Sequence, residues 1–197
     1  MMKTLGVVAA SLALASVAAA DPKTDREKAI EEAKKAGILG PKGVPEVAEL
    51  AKLMAGAWTC DGNIFGPDGK AMKITGHMTN AVDLNGTWLH ESLESSVGEG
   101  KAAMSFRFEG YITFDAALKK WRRIEVDSFG SHTIGTADPA KGGKVEWVLE
   151  STAPDGKREQ SRTHFDGSDP KKIHVTGDVS HDSGKTFAKG VDISCKK

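Results

Sequence analysis

From Trp58 to the C-terminus the chain never runs far without turn chemistry. "GPDGK", "LNG", "GEGK", "SFGS", "DPAKGG", "APDGK", "GSDPKK" and "HDSGK" break it into short, β-rich runs. Runs recurring at roughly 8–12 residues, with no helical segment between them, restrict the fold to an antiparallel sandwich or barrel. Parallel pairing needs a long crossover, and none is present. About ten strands are predicted on this spacing.

The hairpins constrain one another. If "AALKK" is the first of these loops, Phe114 faces Lys120, Phe108 meets Val126 and Ile112 meets Arg122. A three-residue loop at Gly130 sets Val126 against His132 and Ile124 against Ile134. "PAKGG" then sets Ile134 opposite Trp147, and "APDGK" sets Trp147 against Thr163 and Val145 against Phe165. The last two turns place Phe165 against Ile173 and Ile173 against Ile193. One face stays mainly apolar through these strands, as a sheet with one buried side requires. Consecutive strands are neighbours, so the predicted topology is an up-and-down meander, all-β and closed into a barrel.

The two cysteines fit that closure. Cys60 shares its strand phase with Trp58 and Ile64, on the first strand; Cys195 shares its phase with Ile193 and Val191, on the last. In an even-stranded up-and-down barrel those strands are antiparallel neighbours, close enough for a disulfide. The alternatives are a metal site, which two cysteines alone do not make, and a redox pair, which usually shows C-x-x-C spacing.

The N-terminus reads differently. "MMKTLGVVAASLALASVAAA" has a basic start, a short apolar run from Leu5 to Val17 and an A-x-A end. That is the layout of a signal peptide over residues 1–20, too short to span a bilayer as a helix. Export to the periplasm or beyond the cell is therefore expected, where a disulfide persists. Removing Lys3 with this segment leaves 26 basic against 27 acidic residues. With no basic stripe, nucleic acid is not an expected partner. Residues 21–55 form a helical lead. Thr24 with Glu27 opens one helix that stops at Gly37, and Pro45 starts a second, with Val47, Leu50, Leu53 and Met54 as its apolar stripe. Residues 56–197 are the barrel.

Gly56-Ala57-Trp58 after a short helix, leading into an antiparallel meander, resembles the G-x-W start of the lipocalin-like (calycin) barrels. "LNGTWLHESLE" and "GYITFDAALKKWRRIEVDSFGSHTIGTA" resemble, more specifically, a family of bacterial lipocalin-like proteins of unknown function. The resemblance spans roughly residues 45–195 and implies a barrel with a lumen. True lipocalins also pack a C-terminal arginine on that tryptophan, and "DISCKK" has no arginine.

The predicted lumen carries Phe106, Phe108, Ile124, Val126, Ile134 and Trp147, with two polar residues in the same phase, Arg122 and His132. A barrel of this size is either filled by side chains or holds one small ligand. An inward arginine needs a carboxylate, water or an anionic ligand group, and Glu91 is the candidate partner. On the outer face Glu146, His164, His174 and Asp192 fall in one row, a weak candidate for a divalent metal against the plainer reading of a solvated face. "DSFGSH" holds Asp127, Ser128 and His132, the residue types of a hydrolase triad, but reads as a tight turn with its members on opposite faces.

Three functions follow from this reading. The first is an exported barrel binding a small, mostly apolar or amphiphilic ligand at Arg122 and His132, with no cofactor. The second is an enzyme using the same lumen, or a non-covalent haem binder using His132. The third is a structural or interaction module with a filled core.

Overall fold

The structure, a computed structural model, describes residues 43–197 together with Glu27, Lys28, Glu31, Glu32 and Lys35. Those five are helical and exposed. The predicted signal peptide, its cleavage site and the rest of the first helix lie outside the described residues.

Helix α1 (Pro45–Met54) begins at a proline, whose missing N–H costs nothing in a first turn. Val47, Leu50, Ala51 and Met54 are buried at helical spacing. They pack with Trp58, Leu89, Ile112, Trp121 and Val145 across one end of the barrel. Met54 ends the helix with an orphan carbonyl, and the barrel satisfies it: Trp58 Nε1 donates to it at 2.8 Å and Asn80 Nδ2 at 3.0 Å. Trp58 is thus the joint between helix and sheet. Its ring also carries the ammonium of Lys197, 4.5 Å from the centroid. A lysine supplies the C-terminal cation over this tryptophan that the sequence, with no arginine in its tail, left without a candidate.

Ten strands follow among the described residues: β1 (Gly56–Phe65), β2 (Ala71–Asp83), β3 (Trp88–Val97), β4 (Met104–Asp115), β5 (Lys120–Asp127), β6 (His132–Ala137), β7 (Lys144–Thr152), β8 (Arg158–Asp169), β9 (Lys172–Ser180) and β10 (Ala188–Lys196). Each pairs antiparallel with the next, and β10 returns to β1, closing the barrel. Aspartates build several of the turns. Asp115 Oδ1 accepts from the amides of Ala117 and Leu118, and Asp127 Oδ1 from those of Phe129 and Ser131. Asp182 accepts from the Thr186 amide and hydroxyl and from Ser180, which holds its carboxyl near 2. Among the described residues no helix is long and apolar enough to cross a membrane.

Two predicted registers are wrong by an odd number of residues, β4–β5 by one and β6–β7 by three. The β4–β5 loop is one residue shorter than predicted, because Asp115 pairs with Lys120 and Lys119 turns the corner at φ 54°. Phe114 therefore faces Trp121, and Ile112 faces Arg123. A one-residue slip turns a strand over. The predicted β5–β6 register holds, with Val126 against His132 and Ile124 against Ile134, so β6 is turned over too. At β6–β7 a second slip restores the phase: Ile134 faces Glu150, and Trp147 faces Ala137. Gly142 and Gly143, at φ 58° and 79°, close that loop. The β8–β9 and β9–β10 pairings sit two residues from prediction, beside bulges, and keep the same residues inward.

Cys60 and Cys195 lie directly opposite each other on β1 and β10 and are bonded, with Cα atoms 4.0 Å apart. The bond spans 135 residues of sequence. Closing so long a loop contributes roughly 3–5 kcal/mol in the chain-entropy model. The double variant C60A/C195A is expected to keep its far-ultraviolet spectrum and melt about 10 °C lower by calorimetry. An unchanged melting temperature would show that strand pairing alone holds the seam.

Candidate functional site

The barrel is not filled. A cavity of about 200 Å³ lies at its middle. Most of its wall is apolar, with Leu93, Phe108, Trp147, Leu149 and Phe165 on successive sides and the Cys60–Cys195 bridge across the seam. One sector is charged: Glu91 from β3 and Arg123 and Glu125 from β5.

The strand pairing explains how these three meet. Glu91 is opposite Gly110 on β4, and Gly110 is opposite Glu125 on β5. A Cβ at Gly110 would stand 3.3 Å from Glu125 Cγ and 3.5 Å from Glu91 Oε2. Glycine here leaves the space through which two carboxylates two strands apart share one guanidinium. Arg123 Nη2 is 2.5 Å from Glu125 Oε1 and 2.8 Å from Glu91 Oε2. The guanidinium carbon also sits 5.5 Å from the centre of the Trp147 ring.

The cluster is buried and incompletely satisfied. Glu91 is only 2% exposed. The contact between its Oε2 and Arg123 is an ion pair without hydrogen-bond alignment, so Oε2 accepts no hydrogen bond, and Arg123 Nε donates none. Burial pushes the Glu91 carboxyl up, against the opposing pull of Arg123, while neighbouring Glu125 adds to the rise. For Arg123 burial acts downward, and the carboxylates of Glu125 and Glu91 more than offset it, so its guanidinium is held more firmly charged. Buried polar groups normally find partners.

Several predicted residues are placed elsewhere. Arg122 points outward, half-exposed, and donates through Nε to Asp115 at 2.8 Å. His132 is also outward and exposed. Ile124, Val126 and Ile134 stand on the outer wall, 48%, 54% and 54% exposed. All five follow β5 and β6 in being turned over by the β4–β5 slip. Phe108 and Trp147 do line the cavity, whereas Phe106 is inward but nearer the far end, its ring 5.5 Å from Phe129. No histidine lines the cavity, so the haem reading loses its ligand.

The outer row also breaks up. His164 faces Thr176, not His174, and its Nδ1 is 4.0 Å from Glu146. His174 pairs with Asp192 at 2.9 Å. These are two separate pairs, and among the described residues no three metal-ligating side chains gather. Asp127 and Ser128 are engaged in the β5–β6 turn, Ser128 Oγ accepting from the Arg107 amide. Sequence reasoning did name Glu91 as the inward carboxylate but chose the wrong member of the Arg122-Arg123 pair. The alternative phase was visible as Trp121, Arg123, Glu125. That phase puts two charged side chains, Arg123 and Glu125, inside.

The raised carboxyl has a consequence for stability. Folded Glu91 keeps its proton above the ordinary value of 4.5, where an unfolded chain has released it. Its stabilising contribution is therefore full below 4.5 and is lost as pH rises through the folded value. Glu91→Gln carries no titrating group at this position. In urea unfolding between about pH 4 and 8, the native protein is expected to lose stability with rising pH relative to that variant. A difference independent of pH would mean that Glu91 is ionised in the fold.

Comparison with known proteins bears on the fold more than on the site. Residues 45–194 match the model of a family described as proteins of unknown function, DUF1579. No curated protein matches the chain. Among solved structures, Rv2717c from M. tuberculosis is similar at a TM-score of 0.59 and 13% identity, over 79% of this chain and 98% of that one. The S-type phycobiliprotein lyase CPES from Guillardia theta is similar at 0.52 and 11%, over 76% and 90%. At such identities the likeness is one of architecture, a lipocalin-like barrel. The family match runs from α1 through all but the last residues of β10, and the chain belongs to the DUF1579 family.

Proposed function

We propose that this is an exported barrel protein that carries a small, mostly apolar ligand in its lumen. The ligand's polar group sits at Glu91, Arg123 and Glu125, in the role the sequence reading gave to Arg122 and His132. One observation carries the proposal: a mostly apolar cavity inside the barrel with one charged sector, formed by Glu91, Arg123 and Glu125. Burying an arginine among carboxylates is rarely the most stable choice, and well-packed apolar residues often do better. Real sequences break such rules mainly where function requires it. The disulfide and the signal-peptide pattern both suit an oxidising compartment. That a protein of similar fold is named a phycobiliprotein lyase is in keeping with this reading.

A filled structural core fits less well, because the middle of the barrel is open. A surface role is the second reading, favoured by Ile124, Val126, Ile134 and Val148 standing about half-exposed on the outer wall.

Native mass spectrometry tests the proposal on protein purified, oxidised, from its own compartment. The expected result is a mass above that of the denatured chain. Val175→Trp, which fills the cavity from β9 at a cost of about 1–3 kcal/mol, is expected to remove the excess while leaving the fold intact. An identical native and denatured mass would turn attention to the outer wall.

A further inference from the structure

Most of the barrel keeps its outward positions polar. β9 and β10, for example, place His174, Thr176, Asp178, Asp192 and Ser194 on the outside. β5, β6 and β7 depart from this. Ile124, Val126, Ile134 and Val148 stand about half-exposed on their outer faces. Ile124 lies opposite Ile134, while Val126 and Val148 are its diagonal neighbours on the two flanking strands. Tyr111 on β4, opposite Ile124, continues the row. The other exposed large apolar side chains among the described residues, Val82, Leu84, Met104, Leu118 and Phe129, sit at strand ends or in turns. A flat, β-branched sheet face of this kind is what one sheet packs against another.

We infer that this face pairs with the same face of a second copy of the chain, about a two-fold axis passing beside Ile134. The charges at its rim select a second copy. Arg122 stands diagonal to Ile134 on the β5 side, and Glu150 stands directly opposite it on the β7 side. Beyond Arg122 lies Asp115, which accepts from its Nε at 2.8 Å. Beyond Glu150 lies Arg158, 3.5 Å away. One flank therefore meets the patch with a base and the other with an acid, each backed by its opposite. A two-fold beside Ile134 lays the basic flank of each copy on the acidic flank of the other, so the match is made twice. Across each junction the charges then alternate, Asp115 and Arg122 followed by Glu150 and Arg158 of the second copy.

A lipid surface or an acidic partner selects a rim of one sign, and this rim carries both equally. The wall also dips beside Ile134, between Trp88, Val148 and Gln160, giving the facing side chains a place to seat. A contact centred on so few side chains belongs to the small, transient class of interfaces, so micromolar association is expected.

Sedimentation velocity of the oxidised protein, from micromolar to millimolar concentration, tests this. The expected result is a monomer–dimer equilibrium that added salt weakens. Ile134→Lys is expected to weaken association at least tenfold, by setting an ammonium on the apolar centre. Arg122→Glu and Glu150→Arg are each expected to do the same, because each sets like charges together at both junctions. All three positions face outward, so native far-ultraviolet spectra are expected. The decisive sample is a mixture of the two charge-reversed proteins. One has an acid on both flanks and the other a base on both, so together they are expected to form a one-to-one dimer, identified by native mass. A native protein that stays monomeric would overturn the proposal and leave the face to a different protein or a lipid surface. A dimer that survives Ile134→Lys would place the contact elsewhere on the barrel and overturn it too. So would a mixture that stays monomeric while both of its proteins keep native spectra.

Discussion

The whole architecture depends on one long-range pairing, β1 against β10. Without it a ten-strand meander has two raw edges and no inside. With it every strand has two neighbours, the inward phase becomes a lumen, and α1 has an end to cover. The pairing joins segments at opposite ends of the domain, so it carries a large loop-closure cost before any contact rewards it. The Cys60–Cys195 bond sits where that cost is greatest. Trp58, two residues before Cys60, ties the same strand to the helix through Met54. Seam and plug are therefore held by neighbouring inward residues of one strand.

Closure also makes an expensive interior available, and the chain spends it oddly. β5 and β6 present Ile124, Val126 and Ile134 to solvent and keep Arg123 and Glu125 inside. Space for this comes from glycine. Gly110 lets Glu91 and Glu125 approach one guanidinium, and at Gly135 on β6 any side chain would run into Leu149. Removing either partner of a buried ion pair costs about 3–5 kcal/mol, so the arrangement is locked in once formed. Its lasting benefit lies in what it presents to the cavity, a rigid charged sector in an apolar room.

Much of the architecture was legible in the sequence. Turn residues gave the strand count and the meander, and the matching phase of two cysteines gave the closure and its bond. The site was legible only in part. Glu91 announced itself as an inward carboxylate. Arg123 did not, because the hydrophobic pattern of "WRRIEVD" argues for Ile124 and Val126 inside, and pattern is the main guide to a strand's face. The decision rested on a single residue of loop length after Asp115. Lys119 takes a positive φ there, which a lysine does not advertise. A compensating slip at Gly142-Gly143 then hid the error, since every strand from β7 onward faced as expected. Local pattern and true register disagree over just two strands, and those two carry the charged sector of the cavity.

The most direct measurement is an experimental structure of the protein purified from its own compartment, at a resolution that shows water. The expected result is density for a compact non-protein molecule in the lumen, against the sector formed by Glu91, Arg123 and Glu125. A lumen holding only ordered waters that bridge Arg123 and Glu91 would contradict it, and would make the buried charges a structural feature of the barrel.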